Sequence, residues 1–403
     1  MPLFSLRPRS RHHPLAFALG LPLWLAACAH APSPDLPAPP ANLAQAAATA
    51  VPAASETQGV AQAQGVGPAQ VTIQTLPANP EPDSYAFRED ARVLAQQLAQ
   101  QQALDPAWAW QTLQRAKFKE SVTRFIMPPP AGTAKNWTAY RARFVEPIRI
   151  RAGLQFWREQ RENLSRAELT YGVPASVIVG VLGVETIYGR QMGSFRALDA
   201  LATLSLDFPR GRSDRSEFFR SELGQLLKWC QQTSTSPDSV MASYAGAVGM
   251  PQFMPSSILR FAVDFDGDGR IDLTRSAADA IGSVAHYLAR QGWVSGLPGY
   301  YEVRPPAPGL ALQQLLEPDI LPTFTAEEMT RAGATLAGQP ESQEAKLALV
   351  ALQNGEGPTV YVAGTANFYA VTRYNQSSYY ALAVLQLGEA VQREAERVNL
   401  TLK

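Results

Sequence analysis

The 403 residues carry 35 basic and 35 acidic side chains, four histidines and two cysteines. That length supplies two or three domains and ample material for a core. Balanced charge gives no field to attract nucleic acid, no basic motif stands out, and the few histidines offer little for a His-based metal site.

Taken from the start, residues 1–28 read as an address. Arg7, Arg9 and Arg11 form a basic region, and residues 14–27 are apolar but short for a membrane span. The run ends in Leu25-Ala26-Ala27-Cys28, which resembles a bacterial lipobox with Cys28 as the lipid-bearing residue. The alternative is an ordinary signal peptide that ends near a cysteine. In bacterial lipoproteins, a residue other than Asp after the cysteine, here Ala29, implies sorting to the outer membrane. With Cys28 acylated, Cys230 has no partner and reads as a free packed thiol. Residues 29–82 are rich in Pro, Ala and Gln and poor in large apolar residues, so they read as a disordered tether. Treated as a Gly-rich coil, such a tether spans roughly 40 Å.

The folded region, 83–403, reads as mostly helical. Ala91, Leu94, Ala95, Leu98 and Ala99 recur at helical spacing. Asp105-Pro106 looks like an N-cap with Pro at the first helical position. Residues 127–130 break the chain. Phe144, Ile148 and Phe156 are expected in the core of the next stretch. Ser165 and Glu168 fit a capping box, and Pro174 starts a helix for which Gly189 is the expected stop. Helices are further expected over 195–206, 216–232, from Ser236-Pro237, over 278–291 and over 368–396. Strands at 300–303 and 359–362 would form a small sheet, and the signals between 305 and 358 are weak.

Within this pattern one acid stands apart. Residues 177–190 read VIVGVLGVETIYGR, an apolar run with a single carboxyl group, Glu185. A carboxyl there stays protonated or needs a partner, which makes Glu185 a candidate for proton chemistry; a structural Glu at the wet end of a buried helix is the alternative. In SYAGAVGMPQFMPSS, residues 243–257, small residues allow close backbone approach, and Gln252 is an amide in an apolar setting. In NFYAVTRYNQSSYY, residues 367–380, tyrosines and asparagines suit a sugar, although ordinary packing explains such clusters as well.

These three motifs, with DFDGDGRIDL and ADAIGSVAHYL between them, resemble the lytic murein transglycosylase B family, glycoside hydrolase family 103, over roughly residues 85–395. The resemblance implies a mainly α (α+β) fold: a lysozyme-like helical core with an added helical subdomain and a small β element. It implies Glu185 as the single catalytic acid/base, and Ser243, Gln252, Tyr374, Asn375 and Tyr380 as residues lining the sugar site. Arg210 and Arg212 fall where the family has basic residues near the peptide-bearing side, in a longer loop. The implied reaction cleaves the β-1,4 bond between N-acetylmuramic acid and N-acetylglucosamine of peptidoglycan glycan strands and leaves a 1,6-anhydro end. A hydrolytic muramidase and an inactive peptidoglycan-binding lipoprotein are the alternatives. The expected location is the periplasmic face of the outer membrane, and no motif names a cell-wall synthase as partner.

Asp264, Asp266 and Asp268, with Gly269 at the turn and the Arg270 carbonyl next, follow the start of an EF-hand loop. The twelfth position is Arg275 where that loop has Glu. Asp279 is the candidate replacement, and capping of the following helix with Ser276 is its other reading. The chemistry needs no cofactor. A structural calcium is expected in this loop, with sodium or magnesium as alternatives.

Overall fold

The computed structural model describes residues 83–128, 134–338, 340 and 342–400. The expected leader, Cys28 and the expected tether lie outside the described residues. Seven helices come first: α1 Glu89–Gln102, α2 Pro106–Leu113, α3 Glu120–Phe125, α4 Trp137–Arg141, α5 Pro147–Glu159, α6 Arg161–Tyr171 and α7 Ala175–Thr186. A two-residue strand β1, Phe195–Arg196, precedes α8 Ala197–Leu206 and α9 Ser216–Gln232. Strand β2, Met241–Ala242, pairs antiparallel with β1. Helices α10 Pro255–Phe261 and α11 Ala277–Arg290 complete the helical body.

A β element follows. It comprises β3 Tyr300–Arg304, α12 Leu310–Leu316, β4 Phe324–Thr325, α13 Ala326–Arg331, β5 Thr335–Ala337, β6 Lys346–Asn354 and β7 Gly357–Gly364. The five strands form one antiparallel sheet in the order β4-β6-β7-β3-β5. The chain then returns to the helical body through α14 Ala366–Thr372 and α15 Ser378–Arg397.

Helix α7 sits at the centre. Eleven of its twelve residues are buried, so it has no polar face to show to solvent. It packs on α15 with almost no gap. A Cβ on Gly180 would stand 2.2 Å from the Val384 carbonyl oxygen, and one on Gly388 would stand 2.1 Å from that of Ser176. Only glycine permits two helix backbones to approach so closely.

Several local expectations hold and several do not. The five apolar positions of α1 are all buried, Asp105 accepts from Trp108 N, and Cys230 is a buried free thiol. Ser165 and Glu168 lie inside α6, so they form no capping box there; Glu168 instead accepts from Ala175 N at 3.0 Å, at the start of α7. Ile148 is 60% exposed and not core, because it sits in the exposed first turn of α5. The stretch from Ser236 forms only a short 3-10 turn, Pro237–Ser239. Helix α7 stops at Thr186 rather than at Gly189, and the expected single helix over 368–396 is two. Both of those differences shape the site.

Candidate active site

The end of α7 is unusual. Ile187 and Tyr188 have φ of 51° and 57°, followed by Gly189 at 84°. Left-handed backbone at a β-branched residue costs energy, of the order of 1–3 kcal/mol. Here it is held by Tyr188 N donating to Leu182 O at 3.1 Å, a carbonyl six residues back in the helix. Thr186 locks the same corner: its hydroxyl donates to Met250 O and accepts from Gly189 N, both at 2.9 Å. The chain therefore turns away immediately after Glu185 and ties itself to the 248–256 segment.

Glu185 is 6% exposed. Tyr380 donates to its Oε1 at 2.6 Å. Burial pushes the carboxyl up to about 7, partly opposed by the Tyr380 hydrogen bond. Tyr380 comes from α15 and Tyr374 from the turn before it. In an unbroken helix, positions six apart point about 120° apart. The break at 373–377 instead stacks the two rings, with centroids 6.2 Å apart and planes 16° apart. Ser377 caps the new helix by accepting from Tyr380 N, and Asn375 sits half-buried in the turn, its carbonyl accepting from Ser377 N.

Two tyrosines that the sequence reading passed over complete this wall. Tyr140 packs on Tyr379 at 5.7 Å, and its phenol is pushed up by burial and then by the nearby Glu185 charge. Tyr287 lies edge-on to Tyr374 at 4.9 Å and donates to Arg373 O. The 3,4 spacing of Trp137, Tyr140 and Phe144 is a signal for an aromatic helix face that was available in the sequence; Tyr287 lies in the ADAIGSVAHYL motif, but its spacing there does not mark it as a site residue.

The residues of the 243–257 motif lie beside this wall. Gln252 has φ of 52° and donates through Nε2 to Met192 O and Gly249 O, so its amide joins the loop after α7 to its own turn. Ser243 is buried; its Oγ accepts from Ala247 N, and its backbone abuts Gly193. Tyr374 donates to Pro251 O and fixes the turn from the other side. Buried Glu222 holds the far end, accepting from Ser256 N at 2.9 Å and Ser256 Oγ at 2.7 Å. Gly249 has φ of 71°, and a Cβ there would meet Leu273 O at 2.5 Å. Arg212 donates to Ile126 O and lies over Phe208, while Arg210 is exposed. A cavity of about 410 Å³ bordered by Trp157, Leu169, Pro174 and Leu400 lies at the opposite end of α7 and contains none of these groups.

The Asp loop is separate in character. Carboxylate oxygens of Asp264, Asp266 and Asp268 lie within 4.8 Å of one another, all on exposed residues. Asp264 accepts from Gly267 N and Gly269 N, Asp266 from Asp268 N, and Asp268 from Arg270 N. The loop is thus wrapped around its own acids, an all-oxygen donor set that suits a hard cation. Asp279 is not in that cluster. It is buried, and it accepts from Phe265 N and Asp272 N, each at 2.7 Å. Its own N–H goes to Ser276 Oγ, the capping half of its expected role. Arg275 lies against Asp272 on the surface. Met250 N donates to Leu273 O at 2.8 Å, so the loop and the Gln252 turn are physically joined.

The transglycosylase SLT domain family matches residues 86–389. The chain belongs to this family. It is 39% identical over 316 residues to the membrane-bound lytic murein transglycosylase B of Escherichia coli K12, covering 76% of this chain and 84% of that protein. The Escherichia coli lytic transglycosylase Slt35 in complex with calcium superposes with a TM-score of 0.66 at 39% identity, over 76% of this chain and 93% of that one. SltB3 of Pseudomonas aeruginosa in complex with NAG-anhNAM-pentapeptide gives 0.64 at 28% identity, over 75% and 79%. The mainly helical, lysozyme-like fold with its small sheet is that of these lytic transglycosylases, and the chain is a peptidoglycan lytic transglycosylase.

Proposed function

We propose that this transglycosylase cleaves the β-1,4 bond between N-acetylmuramic acid and N-acetylglucosamine with Glu185 as its only acid/base. The observation that carries the reading is one buried carboxyl near neutrality whose ionisable neighbours are phenols: Tyr380, Tyr374 and Tyr140 feel its charge. A two-carboxylate hydrolase needs a second acid across the bond. Protonated Glu185 gives its proton to the glycosidic oxygen as the C1–O bond breaks, and the amino sugar leaves as an alcohol. The carboxylate then takes the proton of the muramic C6 hydroxyl while O6 bonds to C1. Glu185 ends protonated, no water is consumed, and the ring-closing group benefits from a high effective concentration. Tyr374 and Tyr380, whose hydroxyls donate to Pro251 O and Glu185, offer ring faces to the sugars, and Ser243, Asn375 and the Gln252 amide oxygen offer polar contacts beside them. Peptidoglycan as substrate agrees with the pentapeptide-bearing ligand of the Pseudomonas relative.

The three clustered aspartates and the Arg270 carbonyl would hold a calcium ion, with Asp279 fixing the loop backbone from inside. The ion would stiffen the segment that carries Leu273 and, through it, the Gln252 turn. We further assign Cys28 as the lipid anchor, residues 29–82 as the tether and the outer membrane's periplasmic face as the location. Digesting purified peptidoglycan and weighing the fragments tests the core of this reading. Wild type yields anhydro ends and Glu185→Gln yields none; undiminished product from the variant removes Glu185 from its role. Substituting Cys28→Ser shifts the protein from the membrane to the soluble fraction if the anchor assignment is right.

A further inference from the structure

We propose that Arg149 is a positioning residue that clamps the last turn of the Glu185 helix to the segment presenting Tyr140. The inference rests on Glu185 being the acid/base. Arg149 sits in the first turn of α5, where Glu146 caps the helix by accepting from Arg149 N and Ile148 N. Its side chain is 14% exposed and reaches two separate backbones. Nε donates to Gly183 O at 3.1 Å, two residues before Glu185. Nη1 donates to Arg143 O at 2.5 Å, three residues after Tyr140. The guanidinium lies over the Phe144 ring at 5.1 Å, and that ring packs on Tyr140 at 5.1 Å. Glu146 stands 3.8 Å from Nη1, which offsets part of the buried charge.

Two bonds in fixed directions from one planar group are a task for arginine and not for lysine. Gly183 O also accepts from Ile187 N, so Arg149 supports the carbonyl around which the strained corner after Glu185 turns. The groups facing Glu185 are the phenols of Tyr140 from α4, Tyr374 from the turn before α15 and Tyr380 from α15. From α11, Tyr287 backs Tyr374. From α5 the charged group is Arg149 itself, bonded to the α7 backbone rather than to the carboxylate. If the clamp opens, Tyr140 retreats, water reaches Glu185, and the carboxyl relaxes toward its ordinary acidity.

The sign of the change separates this role from a plain charge effect. Removing a nearby cation alone makes a carboxyl harder to ionise and moves the alkaline limb of the rate profile up in pH. Loss of the clamp moves it down. The test uses Arg149→Lys and Arg149→Met on a defined soluble peptidoglycan oligosaccharide, with kcat, KM and the pH profile measured, Tm recorded, and Glu185→Gln run alongside. The expected result is a kcat loss of roughly 10- to 100-fold in both variants, with KM within about threefold and the alkaline limb displaced to lower pH. Wild-type kinetics in Arg149→Lys, an upward limb shift, or a lower Tm with unchanged kcat and limb each overturn the proposal. If Arg149→Met does not fold, Arg149→Lys, which keeps the charge, decides alone. Activity in Glu185→Gln would instead remove the acid/base reading, whatever the Arg149 variants do.

Discussion

Two acidic regions of this fold differ in every physical respect. Glu185 is alone, buried and pushed up in pKa, with phenols around it. Asp264, Asp266 and Asp268 are together and exposed, and Asp266 is held below its ordinary range, first by the Ser276 hydroxyl. An acid that keeps its proton near neutrality can donate it. Acids that stay ionised and converge are a place for a cation. Burial is not sufficient for the first role: Glu222 is as buried as Glu185 and burial pushes it up as well, but Ser256 supplies two donors that oppose the shift and hold it as a structural tie.

Substitutions sharpen that contrast, and the largest effect belongs to Glu185. Glu185→Gln should lower turnover by at least roughly 10²- to 10⁴-fold, the usual scale of a general acid/base. The same variant should stabilise the protein in alkali. Between the ordinary carboxyl value and about 7 the folded state holds a proton that the unfolded chain has lost. Stability therefore falls as pH rises through that window, by an order of magnitude of 3 kcal/mol above it. Denaturant melts at several pH values should show wild type weakening over that range and the Gln variant holding steady. Tyr380→Phe comes next. It removes a donor to the carboxylate, so the alkaline limb should move up in pH and kcat should fall about tenfold.

The Asp loop should respond to metal and not to catalytic substitutions. Millimolar calcium should raise Tm by a few degrees, since saturation at a hundredfold over Kd contributes about 2.7 kcal/mol. Asp266→Asn with Asp268→Asn should abolish that rise while leaving the far-ultraviolet spectrum unchanged. An equal rise in the double variant would dismiss the site. The smallest effect on rate belongs to Glu222→Gln, which should cost about 1–3 kcal/mol in stability and keep turnover. A collapse of activity there with intact folding would mean that burial, not isolation, marks the working acid.

Much of this was legible because the signals were local. The single acid in an apolar run, the Asp-Gly loop and the small-residue turn each appear within fifteen residues. Tyr140 was not legible as a site residue, since its meaning depends on α4 reaching α7 across forty-five positions. The break at 373–377 was hidden because Ser and Asn tolerate helix well enough to leave the periodicity unbroken. Strand β6 was missed for a different reason. Leu347 and Leu349 face the smaller cluster of the β element, while Ala348, Val350 and Leu352 face the main core. With both faces buried, the alternation that identifies a strand disappears.

The claim at the centre is that one carboxyl group does the whole reaction and that no water enters the product. Digestion of peptidoglycan in water enriched in heavy oxygen tests it directly, by weighing the new muramic ends. The account predicts anhydro ends without solvent oxygen and no such ends from Glu185→Gln. Ends that carry one heavy oxygen from the solvent would contradict it and make the enzyme a hydrolase.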